Sequence, residues 1–328
     1  MTSPLLARSG AVPADPPDVG VAAHYGDPFR EQRRFDSGEG AVDLSHRPVV
    51  TITGADRLSW LHSLTSQHVE TLPVGVATEA LILSPHGHVE HHLSLVDDGE
   101  TTWAHMEPGT AEGLVGYLDS MRFWSQVEVS DVSSSYAVVQ LSAGATVPPG
   151  VVQRTTSFGV ELIVARSDVE TYVDEAGGPV GLWALEALRI ASGRARMGFE
   201  TDHRTIPHEV GWMETAVHLD KGCYRGQETV ARVHNLGRPP RRLVFLHLDG
   251  SVDDLPAHGA KILGGGREVG LIGSAARHYE LGPIALALVK RSIDPELELL
   301  VEGMTGQVAA AQEVVVPPDL GLHVGSRL

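Results

Sequence analysis

Cys223 is the single cysteine of this chain and lies in Lys221-Gly222-Cys223-Tyr224-Arg225-Gly226-Gln227-Glu228. A thiol reacts or binds metal as its thiolate, which neighbouring cations favour. Lys221 and Arg225 flank the sulfur two residues away on either side, and the two glycines let the backbone bend around it. Gln227 onwards reads as the first turns of a helix, whose N-terminal dipole also favours negative charge. These features make Cys223 and Lys221 candidate catalytic residues. The competing reading is a small buried hydrophobe.

Three further groups of residues could do chemistry. From Lys221 to Arg242 there are six basic residues (Lys221, Arg225, Arg232, Arg238, Arg241, Arg242) against one acid, Glu228. Such a run is a local field for an anion (a polycarboxylate tail, a phosphate or an RNA backbone), or else a solvated linker. Glu209 sits among Ile206, Pro207, Val210 and Trp212. A carboxylate there either accepts from a ligand's N–H groups or pairs with a cation inside the domain. His86, His88, Glu90 and His92 share one face if the segment is extended, with His91 on the other beside Val89 and Leu93. Evenly spaced strand residues do not converge on one ion, so the row reads as a solvated face and no metal site is expected.

Composition narrows the function classes. The chain has 328 residues and a formal net charge of -17, which disfavours general affinity for nucleic acid or anionic membranes. One cysteine excludes an intramolecular disulfide. No stretch approaches the roughly 18 apolar residues of a membrane span. Residues 1–30 carry neither a secretory nor a transit pattern and read as a mobile leader on a cytoplasmic protein. No Gly-x-Gly-x-x-Gly, P-loop or Gly-x-Ser-x-Gly motif is present, so nucleotide-dependent or serine-hydrolase chemistry is not indicated.

The elements that must position these residues follow from periodicity. Val49–Thr53 predicts a strand and Asp56–Leu64 a helix; Glu79–Ser84 and Val89–Val96 predict a hairpin closed by Ser-Pro-His-Gly. Thr102–Met106 and Gln126–Val132 read as strands, and Pro108–Met121 as a helix. Strands near Tyr136–Leu141 and Val160–Val164 precede a helix over Pro179–Ser192 with Trp183, Leu185 and Leu188 on its apolar side. Past a hinge at Asn235–Pro240, short strands separated by Gly-rich turns predict a small closed barrel. The fold class is α+β, with expected divisions at 31–132, 133–240 and 241–328.

The cysteine octapeptide, continued by Thr229-Val230-Ala231-Arg232, resembles the signature of the YgfZ-type folate-binding proteins, relatives of the glycine-cleavage T protein, an aminomethyltransferase. Asp43-Leu44-Ser45-His46-Arg47 with Thr53–Leu58, Arg189–Gly198 with Pro207-x-Glu209, and Gly270–Ser274 with Ile284–Ala287 resemble other parts of that family. The resemblance implies two α/β-layer folate-binding subdomains and a C-terminal antiparallel barrel around a central cleft for tetrahydrofolate. It also implies a role in assembling or maintaining iron-sulfur enzymes, with those enzymes or their assembly factors as partners.

By the same resemblance, Glu209 stands at the pterin-contacting glutamate, and Lys221 and Cys223 match a motif bordering the pocket. Arg241 matches the arginine of the folate tail, with Arg242 fitting almost as well. His91 stands where the aminomethyltransferases carry a catalytic aspartate, and a largely neutral imidazole supplies no fixed negative charge. The expected function is therefore a folate-binding accessory factor using Cys223. A folate-dependent one-carbon transferase is the alternative, and an RNA-associated factor is a third reading.

Overall fold

The computed structural model describes residues 2–251, 255–304 and 306–320, which form two compact units. The first comprises residues 2–81 and 91–186; the second comprises 82–90 and the described residues from 187 onward.

In chain order the first unit carries β1 (Val12–Pro13), β2 (Ala22–His24), α1 (Pro28–Asp36), β3 (Ala41–Asp43), β4 (Val49–Thr53) and α2 (Arg57–Leu64). Then come β5 (Ala77–Leu83), β6 (Val89–Asp97), β7 (Thr101–His105), α3 (Ala111–Ser120), β8 (Glu128–Asp131), β9 (Tyr136–Ser142), β10 (Val152–Thr156) and β11 (Gly159–Ala165). The series closes with α4 (Val169–Glu175), β12 (Pro179–Val180) and α5 (Leu182–Ala191), which crosses the boundary. One five-stranded sheet has the order β5-β6-β7-β4-β8 and the other β10-β11-β9-β3-β12. The tip of the β5–β6 hairpin, residues 82–90, belongs to the second unit.

Two expectations fail here. Residues 2–30 are not a loose leader: Leu5 and Val21 are fully buried, and Leu5 packs with Ala41, Val139, Leu162 and Val173. Pro28 at the first turn of α1 and the Asp27 side chain accepting from the Arg30 amide start that helix. Glu31 then accepts from the amides of Tyr25 and Gly181, both at 2.8 Å. The division at 132/133 is also crossed, because β3 pairs with β9 and β12. Three-residue strands carry too little periodicity to reveal such a return.

A buried ionic cluster joins the two sheets. Arg154 bonds both Glu79 and Glu161, His105 lies 3.0 Å from Glu161, and His92 lies 3.2 Å from Glu79. Burial pushes the Glu161 carboxyl up, but the charges of His105 and Arg154 outweigh it and hold the group well below the usual range. Unpaired, these carboxylates would be costly at their depth.

The second unit holds α6 (Gln227–Leu236) and a closed barrel, β13 (Arg241–Leu248), β14 (Lys261–Gly264), β15 (Arg267–His278), β16 (Gly282–Lys290), β17 (Leu299–Glu302) and β18 (Gln307–Val314). Val244, Leu246 and Leu248 on β13, with Ala285, Ala287 and Val289 on β16, alternate into its core. The strand pairing slips between Ile272 and Ser274, and a Cβ at Gly273 would come within 2.6 Å of Glu200. That carboxylate binds Arg189 at 3.2 Å and also Ser274. This ties the end of α5 to the barrel. The expected apolar side of α5 is corrected at one position: Leu185 and Leu188 are buried, but Trp183 is 49% exposed.

Candidate functional site

A cavity of about 910 Å³ opens in the second unit. Its walls come from three places: the tip of the hairpin, the segment leading into the 3-10 turn Pro207–Glu209, and α6 with its exit to β13. Each is held by short-range geometry.

The hairpin tip contributes His86 and His88. Ser84 organises it, its Oγ accepting from the amides of His86 and His88 at 3.2 and 3.1 Å. Gly87, at φ +78°, lies so close to α6 that a Cβ would sit 2.7 Å from the Cβ of Thr229. Gly226, the residue before α6, has φ +82°, and a Cβ there would come within 2.5 Å of the Ser84 carbonyl oxygen. The glycine after Arg225 is thus required both by a left-handed backbone and by a backbone-to-backbone approach. Val89 also donates to the Thr205 carbonyl at 2.8 Å, fixing the tip to the second wall.

At the base of the cavity Glu209 is 1% exposed and paired with Arg241. Its Oε1 accepts from the Arg241 amide and Nε, at 3.0 and 2.9 Å. Oε2 accepts from Arg241 Nη2 at 2.8 Å and from the Ile206 amide at 3.2 Å. Arg241 also forks onto Asp202 at 2.7 and 3.1 Å and reaches Thr205 at 3.2 Å. Burial opposes the Arg241 charge, but its hydrogen bonds to Glu209 and Asp202 raise its pKa further. For Asp202 the desolvation is likewise outweighed by Arg241, which holds it below the carboxylate range. Of the two readings open for Glu209, the structure therefore has the internal ion pair, set in the wall of a cavity.

His208 is buried with both ring nitrogens lacking a partner among the described residues. Burial, with a smaller contribution from His234, lowers its pKa to about 4.

The expected site residues part company. Arg242 is corrected: it is fully buried in the barrel, donating to the Ile293 carbonyl and to Gln312, and does not line the cavity. Strand alternation explains this, since consecutive residues of β13 face opposite ways. Cys223 is exposed and Lys221 is buried with Nζ 5.2 Å from the Tyr224 ring centre; neither lines the cavity. Arg225 pairs with Glu90 at 2.9 Å. The motif touches the cavity through α6, whose Thr229 and Arg232 form part of the wall.

The histidine row divides likewise: His86 and His88 line the cavity, Glu90 holds Arg225, and His92 binds Glu79. In the first unit His91 is half-buried, its Nδ1 is buried with no partner among the described residues, and burial lowers its pKa. Sequence reasoning missed Asp202 and Arg204, which sit in a short polar loop without periodicity.

Residues 241–318 match the family model of the glycine cleavage T-protein C-terminal barrel domain. An aminomethyltransferase of Nostoc sp. is 25% identical over 79% of this chain and 79% of its own length. A mitochondrial iron-sulfur cluster assembly factor, the IBA57 homolog of Mycosarcoma maydis, is 25% identical over 62% of this chain. This chain spans just over half, 56%, of that relative's length. The crystal structure of the glycine cleavage system aminomethyltransferase T from Bartonella henselae shares the fold, with a TM-score of 0.81 at 16% identity over 97% of both chains. The barrel and the two sheets before it thus have the fold of the glycine-cleavage T protein, and residues 241–318 match that family's C-terminal barrel domain.

Proposed function

We propose that this protein is a YgfZ-type accessory factor that binds tetrahydrofolate and supports the assembly or maintenance of iron-sulfur enzymes, with the thiol of Cys223 as nucleophile or transient cluster ligand. The observation that carries it is the exposure of Cys223 one turn before α6, the helix whose next turns wall the cavity holding Glu209 and Arg241. The relative named as an iron-sulfur cluster assembly factor supports the same reading.

The residues present fit a folate. The cavity volume lies within the range of about 300–1,000 Å³ usual for small-molecule sites. Ile206, Val233, Leu236 and Pro240 offer apolar surface to a ring, and the arginines offer charge to carboxylates. Glu209 and Arg241 would hold the group in the cavity. When bound, tetrahydrofolate would supply a carrier for one-carbon units.

Iron-sulfur enzyme activity in cells lacking the protein tests the thiol. Complementation by the Cys223→Ala chain should fail while its tetrahydrofolate affinity stays within about twofold of wild type; full complementation removes the sulfur from the mechanism. The alternative, a one-carbon transferase, is favoured by the similarity to an aminomethyltransferase over 79% of this chain. Steady turnover of methylene-tetrahydrofolate that is lost in Glu209→Gln would establish it. A cytoplasmic setting belongs to the same proposal; no helix among the described residues is long and apolar enough to cross a membrane.

A further inference from the structure

Four arginines line the cavity, and they are not equivalent. Arg241 is committed to Glu209, Asp202 and Thr205. The guanidinium groups of Arg204, Arg232 and Arg238 make no hydrogen bond or ion pair with any described residue. In a chain of net charge -17, three unpaired cations around one concavity are an arrangement that ordinary surface pairing would have removed. The single carboxylate among the lining residues, Glu209, is already paired.

Arg238 adds an independent sign. It is held at φ +77°, a left-handed backbone that costs a non-glycine residue energy. It also precedes Pro239, which disfavours helical conformations at the preceding position. Gly237 beside it could have taken such a conformation without strain, and itself sits at φ +69°. The chain spends this strain to place a charged side chain on the cavity wall.

Resting on the folate reading, we infer that Arg204, Arg232 and Arg238 form an anion-binding wall that takes successive carboxylates of an oligocarboxylate tail, such as a chain of γ-linked glutamates. Arg241 is then the positioning residue for Glu209 and Asp202, and the three unpaired arginines set the preference for tail length. Single-stranded RNA is the rival polyanion, but the lining holds no Phe, Tyr or Trp, its only aromatic rings being the imidazoles of His86 and His88, and a chain of net charge -17 disfavours a nucleic-acid backbone.

Calorimetric titration of the whole protein with mono- and pentaglutamyl tetrahydrofolate tests this at low salt. The pentaglutamyl form should bind about tenfold more tightly, the order expected when several exposed charge pairs act together. That ratio should shrink as salt is raised. It should fall to about one in an Arg232→Gln, Arg238→Gly double variant. Glycine suits the positive φ at 238, so the loss cannot be put down to misfolding if the thermal midpoint is retained. Equal affinity of wild type for both forms overturns the wall and leaves the folate reading standing. If neither form binds, the folate reading falls. A free pentaglutamyl peptide then decides the wall: binding that needs the two arginines upholds it, and no binding overturns it. Tighter binding of a short single-stranded RNA through the same arginines also overturns the assignment to carboxylates.

Discussion

Arg241 grips both oxygens of Glu209 while its far edge forks onto Asp202, so one guanidinium joins a fully buried carboxylate to an exposed one. With the Ile206 amide, the four bonds to Glu209 use the roughly four lone-pair positions of a carboxylate. Any ligand donor must therefore share or replace bonds already made.

Removing the cation alone should expose that dependence. Arg241→Met would leave Glu209 buried and unpaired, costing about 3–5 kcal/mol. Urea unfolding should show the loss, and adding Glu209→Gln should restore part of it. Equal stability of the single and double variants would show that the pair is not coupled.

His208 gives the fold a pH dependence of defined sign. Its folded pKa, about 4, lies below the roughly 6.5 of an unfolded chain, so the unfolded state binds more protons between those values. Its stabilising contribution is fully present above about pH 6.5 and is lost as pH falls toward 4, by about 3 kcal/mol if no relaxation occurs. Unfolding free energies measured from pH 7 to 4.5 should fall, and His208→Leu should flatten the slope. A slope unchanged by that substitution would assign the effect to other groups.

Glycine substitutions should separate backbone strain from collision. Gly226 and Gly259 have similar φ, +82° and +76°, but a Cβ at 259 meets nothing within 4 Å. Gly259→Ala should cost about 1 kcal/mol. Gly226→Ala should cost about 2–4 kcal/mol, because it also drives a methyl into the Ser84 carbonyl. It should weaken ligand binding too, since the hairpin tip must shift. Thermal melts of the two variants check the order.

Arg154→Met should be among the most damaging changes in the first unit. It removes the cation that Glu79 and Glu161 share, leaving Glu79 with His92 and Glu161 with His105 and Arg47, and the expected cost is about 3–5 kcal/mol, read by chemical denaturation. Adding Glu79→Gln should recover part of the loss.

Much of this architecture was legible in the sequence. The β4 strand at Val49–Thr53 and the alternating strands of the barrel announce themselves because one face or both are buried. The helix after Gly226 follows from the glycine and the residues after it. Elements of three residues or fewer, such as β3 and β12, could not be read, because their place is fixed by partners far along the chain. Glu209 and Arg241 were found as chemistry, but not as partners: thirty-two residues separate them, and only folding brings them into contact. Arg242 shows the converse, a charge that local composition assigned to a ligand and strand alternation sent into the barrel.

The discontinuous make-up of the second unit has a practical result for dissection. A fragment beginning at residue 187 would carry the barrel and the cysteine motif, yet lack His86, Gly87, His88 and Glu90, which come from far earlier in the chain. Cutting between the units therefore yields no self-sufficient binding half, and genetic insertions are better tolerated away from residues 82–90 than anywhere within them.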